Sequence, residues 1–280
     1  MRIYIGNQTA FSAGTVMEPF EYALQNGFDA FEWFPDRKPW GAGWDENNLD
    51  AGLCADIREA AVRHGMRMSV HARWQANPLK SEAWLLFLRD VQLACDLGAS
   101  LINIHFYGEQ GVEAYVRAIG RYIKRSAEAD LQLSIENTVE SCPEEFNELF
   151  ARMNQEHSTA ARHVGMCLDI GHANLCATTR NDYLAFVDRL SPEVRIIHLH
   201  AHENWGDCDS HLPLFTGPAG RDSGALLELF GRLKQRNYSG SIILEQWPWP
   251  PSLLNQARDG LRQLLSRASD STCTPKGIAT

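Results

Sequence analysis

The chain has 280 residues, 44% of them hydrophobic, with a formal net charge of −9 and a pI near 5.6. That is enough apolar material for a large core, and the acidic balance argues against nonspecific nucleic-acid binding. No apolar run is long enough to span a membrane, the N-terminus lacks the apolar segment of a signal peptide, and the scattered cysteines, with no Cys-x-x-Cys pair, read as free thiols of a cytoplasmic protein.

Residues 2–6 are predicted as a strand and 15–25 as a helix, capped at 14 or 15 and followed by Gly27. A second strand covers 28–33, and an aromatic loop follows over 34–47. Helix 49–64 closes on Gly65, and strand 66–71 ends on His71. Helix 81–97 closes on Gly98, and strand 101–105 ends on His105. After helix 112–127, strand 131–136 ends on Glu136. Pro143 opens a helix reaching about 153, where its missing N–H costs least. Strand 164–169 ends on Asp169, and Asp169-Ile-Gly-His172 is compatible with a turn. A helix over 181–190 leads to strand seven, which starts at Val194 and runs into His198, His200 and His202. Helix 225–236, strand 241–245 ending on Glu245, and helix 253–266 follow. From 269 to 280 the chain is polar and aperiodic and reads as a disordered tail.

Short strands alternating with helices imply βαβ units and a parallel sheet. Eight such units over residues 1–268 fit a single (β/α)8 TIM barrel. An open doubly wound sheet is the alternative. It normally carries a Gly-rich phosphate loop after its first strand, and Gly6-Asn-Gln-Thr-Ala10 is not one.

In a parallel barrel all strand C-termini reach one rim. Seven of the ten histidines fall at these ends or in the loops after them: 71, 105, 172, 198, 200, 202 and 211. Singly, His71 or His105 reads as a core histidine bonded to a carbonyl. Jointly, Glu136, Asp169 and Glu245 would crowd three carboxylates into one mouth, which a divalent cation neutralises. Imidazole and carboxylate together suit Zn, Mn, Fe or Co. Tryptophans in the βα segments suggest aromatic walls around a small polar ligand. The expected pocket comprises Trp33, Trp74, Trp205 and Trp247, with His200.

The segments Ser-Val-His71-Ala, Ile-Asn-Ile-His105, Ser-Ile-Glu136-Asn-Thr, Cys-Leu-Asp169-Ile-Gly-His172, Ile-His198-Leu-His, Asp209-Ser-His211-Leu-Pro and Ile-Leu-Glu245 resemble the xylose-isomerase-like barrel superfamily. It contains sugar and sugar-phosphate isomerases and epimerases, and also endonuclease IV-like enzymes. In the epimerase branch the resemblance implies one divalent ion (Mn, Co, Mg or Zn) on Glu136, Asp169, His198 and Glu245. Glu136 and Glu245 would also move the proton next to a carbonyl that the ion polarises. In the endonuclease branch it implies two or three zinc ions, adding His71, His105, His172, Asp209 and His211; in the other branch these residues are a second metal site or contact substrate. Two departures stand out. Arg73-Trp74 replaces the usual Pro and aromatic of the endonuclease branch, and Leu214-Phe-Thr-Gly-Pro-Ala-Gly220 replaces a common Gly-x-Gly.

Three readings follow, in this order: a metal-dependent sugar isomerase or epimerase; an endonuclease IV-like zinc phosphodiesterase acting on abasic DNA; a noncatalytic metal-stabilised barrel. The expected partner is a small sugar or polyol rather than nucleic acid or membrane, and a homo-oligomer is compatible.

Overall fold

The computed structural model describes residues 2–157 and 161–270. Eight strands, β1 (Ile3–Gln8), β2 (Ala30–Trp33), β3 (Arg67–His71), β4 (Leu101–His105), β5 (Gln132–Glu136), β6 (Val164–Asp169), β7 (Ile196–Ala201) and β8 (Gly240–Leu244), form a closed barrel in sequence order. Every neighbouring pair is parallel, and β8 closes on β1 with Ile3 opposite Gly240. The helices α1 (Glu18–Gln25), α2 (Ala51–His64), α3 (Ala83–Leu97), α4 (Val112–Glu128), α5 (Pro143–Glu156), α6 (Ile170–Leu175), α7 (Tyr183–Arg189), α8 (Pro218–Arg221) and α9 (Gly224–Gln235) lie between the strands in sequence, and α10 (Ser252–Asp270) follows β8. The expected (β/α)8 barrel is therefore observed. Among the described residues no helix is long and apolar enough to cross a membrane.

Side chains alternate along each strand, so half point into the barrel and half toward the helices. On β2, Glu32 points inward to Ser69 and His198. Its neighbours Phe31 and Trp33 consequently point outward, where both pack on Phe20 of α1 at 5.2 Å between ring centroids. This aromatic layer, with Trp44 5.7 Å from Trp33, belongs to the core between barrel and helices.

Helices α2 and α3 end on Gly65 and Gly98, as expected. Asp50 caps α2 by accepting the Leu53 N–H. Three expectations need adjustment. Helix α1 starts at Glu18, with the Thr15 hydroxyl accepting the Glu18 N–H from outside. Asp169-Ile-Gly-His172 opens the short helix α6, because Asp169 Oδ1 accepts the His172 N–H as an N-cap. Ser269 and Asp270 belong to α10; the rest of the expected tail lies outside the described residues.

Candidate active site

The inward side chains at the C-terminal ends of the strands form one buried polar cluster. Its deepest layer holds Glu32, which is fully buried. Glu32 Oε2 accepts from Ser69 Oγ at 2.7 Å and from His198 Nε2 at 2.8 Å, and Oε1 lies 2.8 Å from His200 Nε2. Burial alone would raise the Glu32 carboxyl, but His200 and His198 outweigh it and hold it well below the usual carboxylate range. Burial lowers the His198 imidazole and keeps it neutral despite Glu32.

Above this layer the carboxylates converge on His200. Its Nδ1 is 3.0 Å from Glu245 Oε1 and 3.3 Å from Glu136 Oε2. Among the described residues neither nitrogen of His200 meets hydrogen-bond geometry, and Glu245 Oε2 has no hydrogen-bond partner. Glu136 Oε2 also accepts from His71 Nε2 at 3.1 Å and from Asn103 Nδ2, and Ser134 orients Asn103 through its Oδ1. His105 stands further out, 3.6 Å from Glu136 Oε1. Against the penalty of burial, His200 and His105 keep Glu136 ionised. Burial opposes protonation of His200, yet its surroundings (Cys167, Glu245, Glu136 and Glu32) raise it well above the usual histidine range.

A second group lies beside the first. Asp169 faces His202 Nε2 at 3.1 Å. Asp209 Oδ2 is 3.3 Å from His172 Nε2 and 3.2 Å from His211 Nε2. His202 and His211 stack with centroids 3.9 Å apart. Asn137 ties β5 to β6, donating to the Asp169 carbonyl and accepting the Asp169 N–H. The His202 ring sits directly over Gly171, where an added Cβ would fall 2.0 Å from its Cε1. Gly171→Ala is thus expected to cost about 1–3 kcal/mol through overpacking; a thermal melt unchanged from the parent chain would contradict this.

The donor set fits a divalent cation. His71, His172 and His211 each place Nδ1 on a backbone carbonyl, of Ala72, Asn137 and Glu245 respectively, at 2.7 to 3.2 Å. Each then turns Nε2 toward carboxylates, and such a backbone bond fixes the tautomer of a ligating histidine. Ligand atoms of His71, Glu136, His200 and Glu245 lie within 4.8 Å of one another, as do those of His172, His202, Asp209 and His211.

Most of the residues singled out in the sequence therefore meet at this mouth, with two corrections. His198 was expected beside Glu136, Asp169 and Glu245, but it lies one pleat deeper, on Glu32; His200, expected as a pocket residue, stands among the carboxylates instead. Trp33 was expected in the pocket, but its outward position seals it in the core. Trp247 does border the mouth, in a cavity shared with His211 and Glu245. Trp74 and Trp205 are about half exposed in separate rim grooves, and Trp205 stacks under Arg221. Sequence reasoning missed Glu32, Asn103, Asn137 and the contacts of His202. Glu32 had a signal: it is the single charge in Ala30-Phe-Glu-Trp33.

Short matches at 35% and 32% identity cover 86 and 90 residues of uncharacterised proteins from Methanocaldococcus jannaschii and Sinorhizobium fredii. The chain spans only about a quarter of the length of those relatives, 26% and 27%. Solved structures share the fold over nearly the whole chain. A D-tagatose 3-epimerase-like protein superposes with a TM-score of 0.75 at 20% identity, covering 96% of this chain and 100% of that one. An L-ribulose 3-epimerase gives 0.71 at 15%, covering 99% and 100%. Endonuclease IV from Thermus thermophilus gives 0.66 at 21%, covering 94% and 99%. The family model described as the xylose isomerase-like TIM barrel matches residues 20–266, and the chain belongs to that family.

Proposed function

We propose that the chain is a metal-dependent sugar isomerase or epimerase that moves a proton next to a carbonyl. The carrying observation is the approach of Glu136 and Glu245, from the ends of β5 and β8, to His200 Nδ1 at 3.3 and 3.0 Å with no hydrogen bond completed among the described residues. Three ligand atoms meeting without a shared proton suit a cation between them. In this reading Glu136, His200 and Glu245 hold the ion together with Asp169 or His71. His198 supports His200 from below through their common partner Glu32.

When bound, the ion supplies Lewis-acid polarisation of a carbonyl and stabilises charge on the adjacent oxygens. Glu245 is the better base, because its Oε2 accepts no hydrogen bond among the described residues and its nearest imidazole, His202, is 3.7 Å away. Glu136 is held ionised by His200 and His105 against burial and is oriented by His71 and Asn103, and it faces the substrate carbon from the other side. Removal of the proton by one carboxylate and return by the other inverts that carbon. His172 and His211, tied through Nε2 to Asp209, flank the substrate position. The experiment is depletion of metal, reconstitution with Mn, Co, Mg or Zn, and NMR assay of ketose epimerisation. Activity is expected to return with one tightly held ion per chain. Unchanged turnover after thorough chelation would refute it.

One observation favours endonuclease chemistry: the second group, His172, His202, Asp209 and His211, could hold a further ion. The −9 charge opposes tight duplex binding. Salt-sensitive binding and cleavage of an abasic duplex would move this reading first.

A linked expectation concerns protons. Burial disfavours charge on His200, but Cys167, Glu245, Glu136 and Glu32 raise it well above the usual histidine range. Ligation needs neutral imidazole, so loading at pH 7 displaces protons and affinity rises with pH. Calorimetry in buffers of different ionisation enthalpy is expected to give different heats. Identical heats would contradict it.

A further inference from the structure

A cavity of about 320 Å³ lies between the loops after β1, β2 and β8 and opens onto His211 and Glu245. Five of its polar lining residues are more than nine-tenths buried: Gln8, Thr9, Asp36, Glu245 and Gln246. Gln8 Oε1, Asp36 Oδ1, and both Oε1 and Nε2 of Gln246 have no hydrogen-bond partner. Buried polar atoms are normally paired, and with Glu245 Oε2 these make five unpartnered atoms on residues that line one cavity, which points to a ligand that pairs them. Each amide offers one acceptor and one donor whichever way it is turned, and the carboxylate adds acceptors. The complement of that set is a row of hydroxyls.

The charges narrow the ligand further. No arginine lines the cavity. Its one lysine, Lys38, is already engaged, with Nζ 3.9 Å from Asp36 Oδ2 and 4.8 Å from the Phe11 ring centroid. His211 is paired with Asp209. A phosphate group would face Asp36 and Glu245 with no free cation to meet it. Phe34 and Trp247 supply apolar walls for carbon-bound hydrogens. Phe34 also lies 4.3 Å from the His71 ring, which joins the cavity to the carboxylate cluster.

We infer that this cavity binds the distal, unphosphorylated polyol end of the substrate, with Gln8, Asp36 and Gln246 as specificity-determining residues. The inference rests on the isomerase reading above and deepens it: the substrate is a free sugar rather than a sugar phosphate.

The test is calorimetric binding of D-fructose, 6-deoxy-D-fructose and D-fructose 6-phosphate to the metal-loaded chain and to Asp36→Asn and Gln246→Ala. Melting temperature and metal content are measured for each variant. The parent chain is expected to favour D-fructose over both other probes by about tenfold, the scale of one well-made hydrogen bond to a charged or buried group. In the variants, with melting and metal content unchanged, discrimination against the 6-deoxy sugar should vanish. A purely structural role would lower affinity for both neutral sugars equally, and that result overturns the inference. Equal or tighter binding of the phosphate, with epimerisation intact, overturns the inference alone. If no ketose binds or reacts, it fails together with the isomerase reading.

Discussion

Replacing His200 by alanine is expected to weaken retention of a divalent ion by more than about a hundredfold, whereas His198→Ala should leave the tight ion in place. Partners that only orient a ligand are worth about 10- to 100-fold in affinity, so loss of a ligand costs more. His200 Nδ1 faces Glu136 and Glu245, while Nε2 is backed by Glu32. His198 makes its contact with Glu32 Oε2 from below. Its removal takes a donor from a fully buried carboxylate and should therefore lower stability, by about 1–3 kcal/mol. Metal titration and thermal melting of the two variants separate these effects. Ion loss in His198→Ala with retention in His200→Ala would reverse the assignment.

Glu245→Gln is expected to cut turnover by about 10²- to 10⁴-fold, the usual worth of a positioned general base, with little change in stability. Among the described residues its Oε2 has no hydrogen-bond partner, so the amide breaks no hydrogen bond there. Glu136→Gln should match that loss of turnover and also destabilise the chain. His71 and Asn103 both donate to Glu136 Oε2, and a neutral amide accepts less strongly than the carboxylate. Steady-state kinetics and melting curves check both. Near-parental turnover in either variant would exclude that carboxylate from proton transfer.

The barrel itself was legible in the sequence because its signals are local. Apolar strands alternate with glycine-closed or Pro-opened helices about every thirty residues, and eight such units with no Gly-rich phosphate loop favour a closed sheet over an open one. The rim was legible for the same reason: His71, His105, Glu136, Asp169 and Glu245 stand at strand ends, and strand ends share one face. Depth within the barrel was not legible. His198 and His200 share one face of β7 by the period of two, and His202 follows just beyond its end, so pattern alone cannot say which meets the carboxylates. The interstrand register does, setting Asp169 opposite His200 and Cys167 opposite His198. Glu32 escaped notice because its strand ends on Trp33. The same alternation that sends Glu32 into the barrel turns Trp33 out to the helices. The polar cavity of Gln8, Asp36 and Gln246 was equally hidden, since it joins loops from opposite ends of the chain.

The most direct test is proton exchange. Metal-loaded chain in D2O with a ketose substrate, followed by NMR, should place deuterium on one carbon next to the carbonyl during epimerisation, and Glu245→Gln should abolish it. Product formed with no deuterium at any carbon, or cleavage of abasic duplex by a chain that leaves every ketose unexchanged, would contradict carboxylate proton transfer at this site.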